Sequence, residues 1–182
     1  APPVEYYQAE RVLASAPRYF DEELAITRLN LCAACFRPGE LDRYQPLIER
    51  LIADLDSHRV GRFYSEGVMQ LVAAYELVFG DAATAICTLE SLGTSAQVYP
   101  VKQSSLRTLE MIYARNRDTI NFLRIKSALT AAAVSKGMTF VDEAMAAAAQ
   151  RTLSFARWYF VSLPAKRVYW PSIRVPFAAA TP

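Results

Sequence analysis

No aspartate or glutamate follows Glu143, although five basic residues do: Arg151, Arg157, Lys166, Arg167 and Arg174. The chain has 20 basic and 18 acidic residues, so residues 1–143 hold 15 basic and 18 acidic side chains, a net of −3 against +5 for the remainder. That polarity predicts a C-terminal end facing something anionic, whether RNA, lipid head groups or an acidic protein surface. Histidine is almost missing. The single His58 supplies one member of a catalytic dyad or metal cluster and no more, and it stands where it would close the helix ending near Ser57. The six glycines are scattered singly at expected turns, so no glycine-rich loop is present to cradle phosphates and nucleotide binding is not supported. Three cysteines make an odd count and two of them lie in an apolar stretch, which argues against a disulfide framework and for a reducing compartment. Long uncharged runs are lacking too. Lys136, Asp142 and Arg151 interrupt the apolar segments around Ala128 and Ala144 before they reach the roughly 20 residues a membrane span needs. Because Ala1 rather than Met stands first, a targeting segment is expected to have been removed.

What is present is helical patterning. With 53% apolar residues over 182 positions, the chain can bury a substantial core as one folded domain. The stretch Leu29–Leu55 sets the theme. Ala25, Leu29, Cys32, Ala33 and Phe36 recur at intervals of three and four, Pro38-Gly39 breaks the pattern, and Leu41, Tyr44, Leu47, Ile48, Leu51, Ile52 and Leu55 resume it. Pro46 is comfortable only in a first turn, so the second helix is expected to begin at Asp42 or later, with Leu41 in the turn. A second pair follows, striped by Tyr64, Val68, Leu71, Val72, Tyr75 and Phe79, broken at Gly80-Asp81, and resumed by Ala83, Ile86, Cys87 and Leu89. Asp81 is its expected N-cap. Residues 93–100 read as a loop by composition. A third pair runs through Leu106, Leu109, Ile112 and Tyr113, turns at Asn116 to Asp118, and continues with Ile120, Leu123, Ile125, Ala128 and Leu129. One more helix is expected from after Gly137, opened by Thr139 and Asp142 at capping-box spacing, to about Phe160. Pro164, Pro171 and Pro176 forbid any continuous helix beyond it. Three parts result: an N-terminal arm and leading helix (1–20), a helical domain (21–163), and an extended basic and aromatic tail (164–182).

The turns at Gly39 and Gly80 lie 41 residues apart, and the turn at Arg117-Asp118 lies 37 further on, near the period of helix-pair repeats. The segments LNLCAACFRPGELDRYQPLIERL, LVAAYELVFGDAATAICTLESLG and LEMIYARNRDTINFLRIKSAL each give small residues on a first helix, a polar or glycine turn, then an amphipathic second helix. Over residues 21–135 this text resembles pentatricopeptide and tetratricopeptide repeats. The resemblance implies an all-α fold, a short right-handed solenoid of antiparallel helix hairpins with an extended C-terminal tail. The spacing departs from a strict 34 or 35 residue period, so ordered base-by-base reading of RNA is not implied.

Candidate sites divide into the chemical and the basic. Cys32-Ala-Ala-Cys35 has the CxxC spacing of zinc knuckles and redox motifs. Zinc would need further ligands from Cys87 and His58 alone, and the C-terminal end of a helix disfavours a thiolate, so both thiols are expected to be buried small apolar groups. The carboxylates Asp21, Glu22 and Glu23, Asp54 with Asp56, and Asp142 with Glu143 stand at expected helix ends, and helix-end and surface placement accounts for them without acid–base chemistry. No catalytic, cofactor or metal residue is therefore expected. Arg115, Arg117, Arg124 and Lys126 bring four positive charges to the third turn, fit either to touch phosphate or to form a solvated face paired in part with Asp118. The stretch RWYFVSLPAKRVYWPSIRVPF interleaves Arg157, Lys166, Arg167 and Arg174 with Trp158, Tyr169 and Trp170, among other aromatics, in the mixture that carries interfaces by stacking and forked hydrogen bonds. It is either an arm reaching another molecule or a strap lying on its own domain.

The expectation is a non-catalytic structural subunit of a large assembly, a mitochondrial ribosome or another mitochondrial complex, contacting RNA or neighbouring protein subunits through helical repeats and the basic aromatic tail. The mitochondrial location follows from the resemblance, a cytoplasmic one being the alternative. A second reading is a tetratricopeptide-like adaptor that binds a peptide or protein partner in its concave groove. A third, a small enzyme using Cys32 or Cys35, stands behind both.

Overall fold

Turn chemistry sets where the helices begin and end. The structure, a computed structural model, describes residues 4–16, 21–56, 64–132 and 140–162, the last segment with side chains from residue 143. Its helices are α1 (Val4–Ala14), α2 (Asp21–Cys35), α3 (Leu41–Asp56), α4 (Tyr64–Phe79), α5 (Ala82–Ser95), α6 (Tyr99–Arg115), α7 (Thr119–Ala131) and α8 (Phe140–Ser162). No strand occurs among the described residues, so the molecule is all-α there. Gly39 takes φ +76° between α2 and α3, a conformation that glycine adopts without a steric cost. Asp81 accepts from the Ala83 and Thr84 amides at 3.1 Å each, capping α5 as its position predicts. Asp118 caps α7 by accepting from the Asn121 amide at 3.1 Å. His58, Thr139, the side chain of Asp142 and the whole tail lie outside the described residues, as do the expectations attached to them.

Two boundaries differ from expectation. Helix α3 begins at Leu41, because that side chain is buried and the Tyr44 amide already donates to the Glu40 carbonyl at 3.2 Å. Pro46 lies inside the helix on its exposed side, and the carbonyl it leaves without a donor, that of Asp42, shares that side with it. The expected loop over 93–100 shrinks to three residues between α5 and α6. Gly93 lies within α5 because a helix crosses there: a Cβ on it would come within 2.7 Å of Leu106 Cδ2. The Glu66 carboxylate accepts the Gln97 and Val98 amides at 2.7 and 3.1 Å, holding the short connection onto α4.

Burial follows the apolar stripes where a helix has a single face to hide, and exceeds them elsewhere. In α3, Ile48, Leu51 and Leu55 are fully enclosed, each contributing about 1.5–3 kcal/mol of burial. Helix α2 also buries Leu31 and Cys35, outside its expected stripe, because α1, α3 and α8 surround it. Helix α7 falls short of expectation: Ile125 is buried, but Ile120 and Leu123 are 83% and 57% exposed. That helix packs chiefly on α6 and has only one side to cover.

Helix α8 organises the rest. Each helix from α1 to α6 packs on the next in sequence, and α8 lies against α2, α4 and α6 together. Met145, Ala148, Ala149, Thr152, Leu153 and Ala156 form its buried stripe, and the alanines allow close approach of the neighbouring helices. Phe155 meets the Phe36 ring edge-on at 6.0 Å between centroids. Arg151 Nη2 donates to Asn30 Oδ1 at 2.6 Å, tying α8 to α2 across most of the sequence.

Two polar clasps cross the core. On α1, Glu10 is buried and its carboxylate receives Arg28 Nε and Arg50 Nη1, both at 3.3 Å, while Asp54 lies 3.5 Å from Arg28 Nη2. On α4, the buried Gln70 amide donates to the Val101 carbonyl at 3.0 Å and approaches the hydroxyls of Ser104 and Ser105 at 2.6 and 3.0 Å. Pairing of this kind offsets the cost of burying polar groups, although the Gln70 Oε1 is itself buried with no partner among the described residues.

Candidate functional site

The four charges that the sequence gathers at the third turn do not form one patch. Arg115 turns back to the end of α8, where its Nη1 donates to the Phe160 carbonyl and its guanidinium lies 5.4 Å from the Phe160 ring centroid. It closes an α-helix C-terminus, a position that favours a cation. Arg124 forks onto the Glu90 carboxylate of α5, with Nη1 to Oε2 at 2.9 Å and Nη2 onto Oε1. Its Nε donates to Asn121 Oδ1 at 3.1 Å, and the Tyr113 hydroxyl donates to Glu90 Oε1 at 2.7 Å. These contacts fasten α5, α6 and α7. They also raise the Arg124 pKa, first through the Glu90 hydrogen bond, and raise that of Tyr113, first through burial and then through the same carboxylate. Arg117 sits exposed in the turn at φ +57°, with its amide donating to the Ala114 carbonyl at 3.2 Å. Asp118 hydrogen-bonds Asn121, by its side chain to the Asn121 amide, in the role of a cap.

Lys126 is the member that points elsewhere. With Arg107 and Gln103 of α6, Thr130 of α7 and Arg157 of α8, it lines an open groove of about 540 Å³. Glu110 is the carboxylate on the same wall, and Met111 and Leu129 supply apolar floor. Arg107 and Lys126 are exposed, whereas Arg157 is half-buried. The Arg157 pKa is lowered, first because burial strips water from the guanidinium and then because Arg107 is positive beside it. Lys126 Nζ stands 5.8 Å from the Phe122 ring centroid. Trp158 is exposed on the next position of α8, its ring 5.7 Å from that of Phe155. Lys166, Arg167, Tyr169, Trp170 and Arg174 fall outside the described residues.

The structure thus brings Lys126 and Arg157 together, separates Arg115 and Arg124 from them, and adds Arg107, which no cluster in the sequence marks. The signal available was weak. Arg107 stands between Lys102 and Glu110 on the polar face of an amphipathic helix, where a single charge is ordinary.

The thiols have a different environment. Cys32 and Cys35 are buried, and burial raises both pKa values, that of Cys35 to about 11, so both are protonated thiols at neutral pH. Cys87 is exposed. Among the described residues no three of His, Cys, Asp or Glu gather to hold a metal ion, and no helix is long and apolar enough to cross a membrane. A second, smaller cleft of about 320 Å³ lies between α3 and α4, with Glu49, Asp56 and Tyr75 on its walls.

No protein-family model, curated protein or solved structure matches this chain.

Proposed function

We propose that this chain is a non-catalytic scaffold subunit of a large assembly, a short right-handed stack of antiparallel helix pairs that contacts RNA or neighbouring proteins through its basic C-terminal end. The likeness of its helix pairs to pentatricopeptide and tetratricopeptide repeats favours a mitochondrial assembly, the ribosome before a respiratory complex. The observation that supports the scaffold reading most is the position of α8. It lies against α2, α4 and α6, the first helix of each proposed pair, and so covers the side that a peptide adaptor of this design would offer to a partner. For the adaptor alternative, α8 would have to leave and expose Met145, Leu153 and the alanines now enclosed with them. The buried, protonated thiols at Cys32 and Cys35 give no support to a cysteine nucleophile.

Fluorescence anisotropy with a labelled single-stranded oligoribonucleotide tests the RNA contact. With six phosphate contacts, affinity of the full chain should fall by about 10³ between roughly 50 and 200 mM salt, and Lys166→Gln/Arg167→Gln/Arg174→Gln should weaken it further. No RNA binding at low salt would remove RNA from the proposal. A partner that stays bound at high salt would favour the peptide adaptor.

A further inference from the structure

The groove between α6, α7 and α8 gathers more positive than negative charge. Arg107, Lys126 and Arg157 line it against the single carboxylate of Glu110, and among the described residues Glu110 forms no ion pair with any of the three. Arg157 is half-buried, which lowers its pKa, and it shares the groove with another arginine, Arg107, whose positive charge lowers that pKa further. Partly desolvating Arg157 beside the exposed, like-charged Arg107 is unfavourable, and an anion in the groove would relieve it. Elsewhere in this molecule enclosed or partly enclosed arginines meet an oxygen acceptor: Arg28 at Glu10, Arg124 at Glu90 and Arg115 at the Phe160 carbonyl.

The missing negative charge is not to be found in the remaining sequence. Residues 133–139 and 163–182, which continue from α7 and α8, contain no aspartate or glutamate, and neither do residues 1–3, 17–20 or 57–63. The acid whose side chain is not described, Asp142, precedes Arg157 on the same helix by a distance of roughly 22 Å at 1.5 Å per residue. An anion brought by another molecule would supply that counter-charge.

We infer that this groove is a binding site for the phosphate groups of a single-stranded RNA, with Arg107 and Arg157 as forked donors, Lys126 as a point charge and Gln103 as a neutral donor. Cations converge from three helices, which suits a tetrahedral oxyanion approached from several sides better than a planar carboxylate. The groove is open along α6 and α7, as a polymer requires. Ser162, where α8 ends, is only about 7.5 Å along the helix from Arg157, and the chain beyond it carries Lys166, Arg167 and Arg174 with no acid, so groove and tail form one basic track in sequence. The inference rests on the RNA reading above and gives it an address.

Two measurements on the full chain test it: anisotropy with an oligouridylate, and thermal unfolding with inorganic pyrophosphate against chloride at matched ionic strength. Arg107→Gln/Arg157→Gln should weaken RNA binding about tenfold, reduce the salt slope by between one and two, and abolish the stabilisation by pyrophosphate. Arg157→Lys should recover part of the affinity, since the charge remains and the fork is lost. Arg43→Gln, an exposed arginine on α3, should change neither reading. Circular dichroism of the double variant guards against misfolding, and Lys126→Gln provides an independent, exposed substitution with about a threefold expected loss. If RNA binds the double variant as tightly as the native chain, the groove is overturned while the RNA reading survives. If the native chain binds no RNA, both fall.

Discussion

The two ends of the molecule use arginine in opposite ways. At the α1–α3 end, Arg28 and Arg50 converge on a buried glutamate that lies 3% exposed, and the charges close a helix onto its neighbours. At the α6–α8 end, Arg107 and Arg157 face each other with no carboxylate joined to them among the described residues. Between these extremes, Arg124 and Glu90 form a forked pair that is partly exposed. An arginine is structural or available according to whether an adjacent helix offers an acceptor at its height, a carboxylate for Arg28 and Arg124 or a carbonyl for Arg115. Removing an acid should therefore unfold one end, and removing a cation should leave the other standing.

The largest effect belongs to Glu10→Ala, which leaves the buried Arg28 with only the partly exposed Asp54, 3.5 Å away, as a carboxylate partner among the described residues. A loss of about 3–5 kcal/mol is expected, read as a lower urea midpoint with the slope unchanged, and a neutral result would show that α1 is dispensable to the core. Arg124→Ala should cost about 1–2 kcal/mol, less because Arg124 is one-third exposed and screened. Tyr113→Phe should cost about 1 kcal/mol and also flatten the alkaline limb of stability. The folded-state pKa of Tyr113 is raised, so its contribution is whole below the ordinary tyrosine value of about 10 and is lost as pH climbs past it. Thermal melts between pH 9 and 11 on the two proteins, taken at roughly half-unit steps, measure that difference. The smallest change is expected for Arg107→Gln: a melting temperature higher by no more than about 2 °C at low salt and equal at high salt, because a like-charge contact is relieved. A marked destabilisation would show Arg107 to be paired and would remove the contrast.

Much of the fold was legible because local chemistry decided it. The stripe of Ile48, Leu51 and Leu55, the positive φ of Gly39 and the cap at Asp81 depend on residues within a few positions of one another. Gly93 misled because composition cannot tell a glycine that ends a helix from one that lets Leu106 approach it. The apolar residues Ile120 and Leu123 misled for the reverse reason: their spacing is helical, but no helix was left to cover them. For the candidate site, Arg115 and Arg124 looked like a shared patch with Lys126 because sequence shows charge and hides partners. Glu90, which claims Arg124, lies 34 positions earlier. Arg107 is the converse, unremarkable in the text and revealed only when α7 and α8 are set beside it.

The placement of α8 bears on how the chain comes into being. Chains fold from the N-terminus as they are synthesised, and here the element that seals α2, α4 and α6 is made after all of them. Until residues near Leu153 emerge, the alanine and leucine surfaces of the earlier helices have no cover, and contacts such as Arg151 with Asn30 close loops of 121 positions late in the process. A nascent chain stopped short of α8 would accordingly be a client for chaperones rather than a smaller working domain.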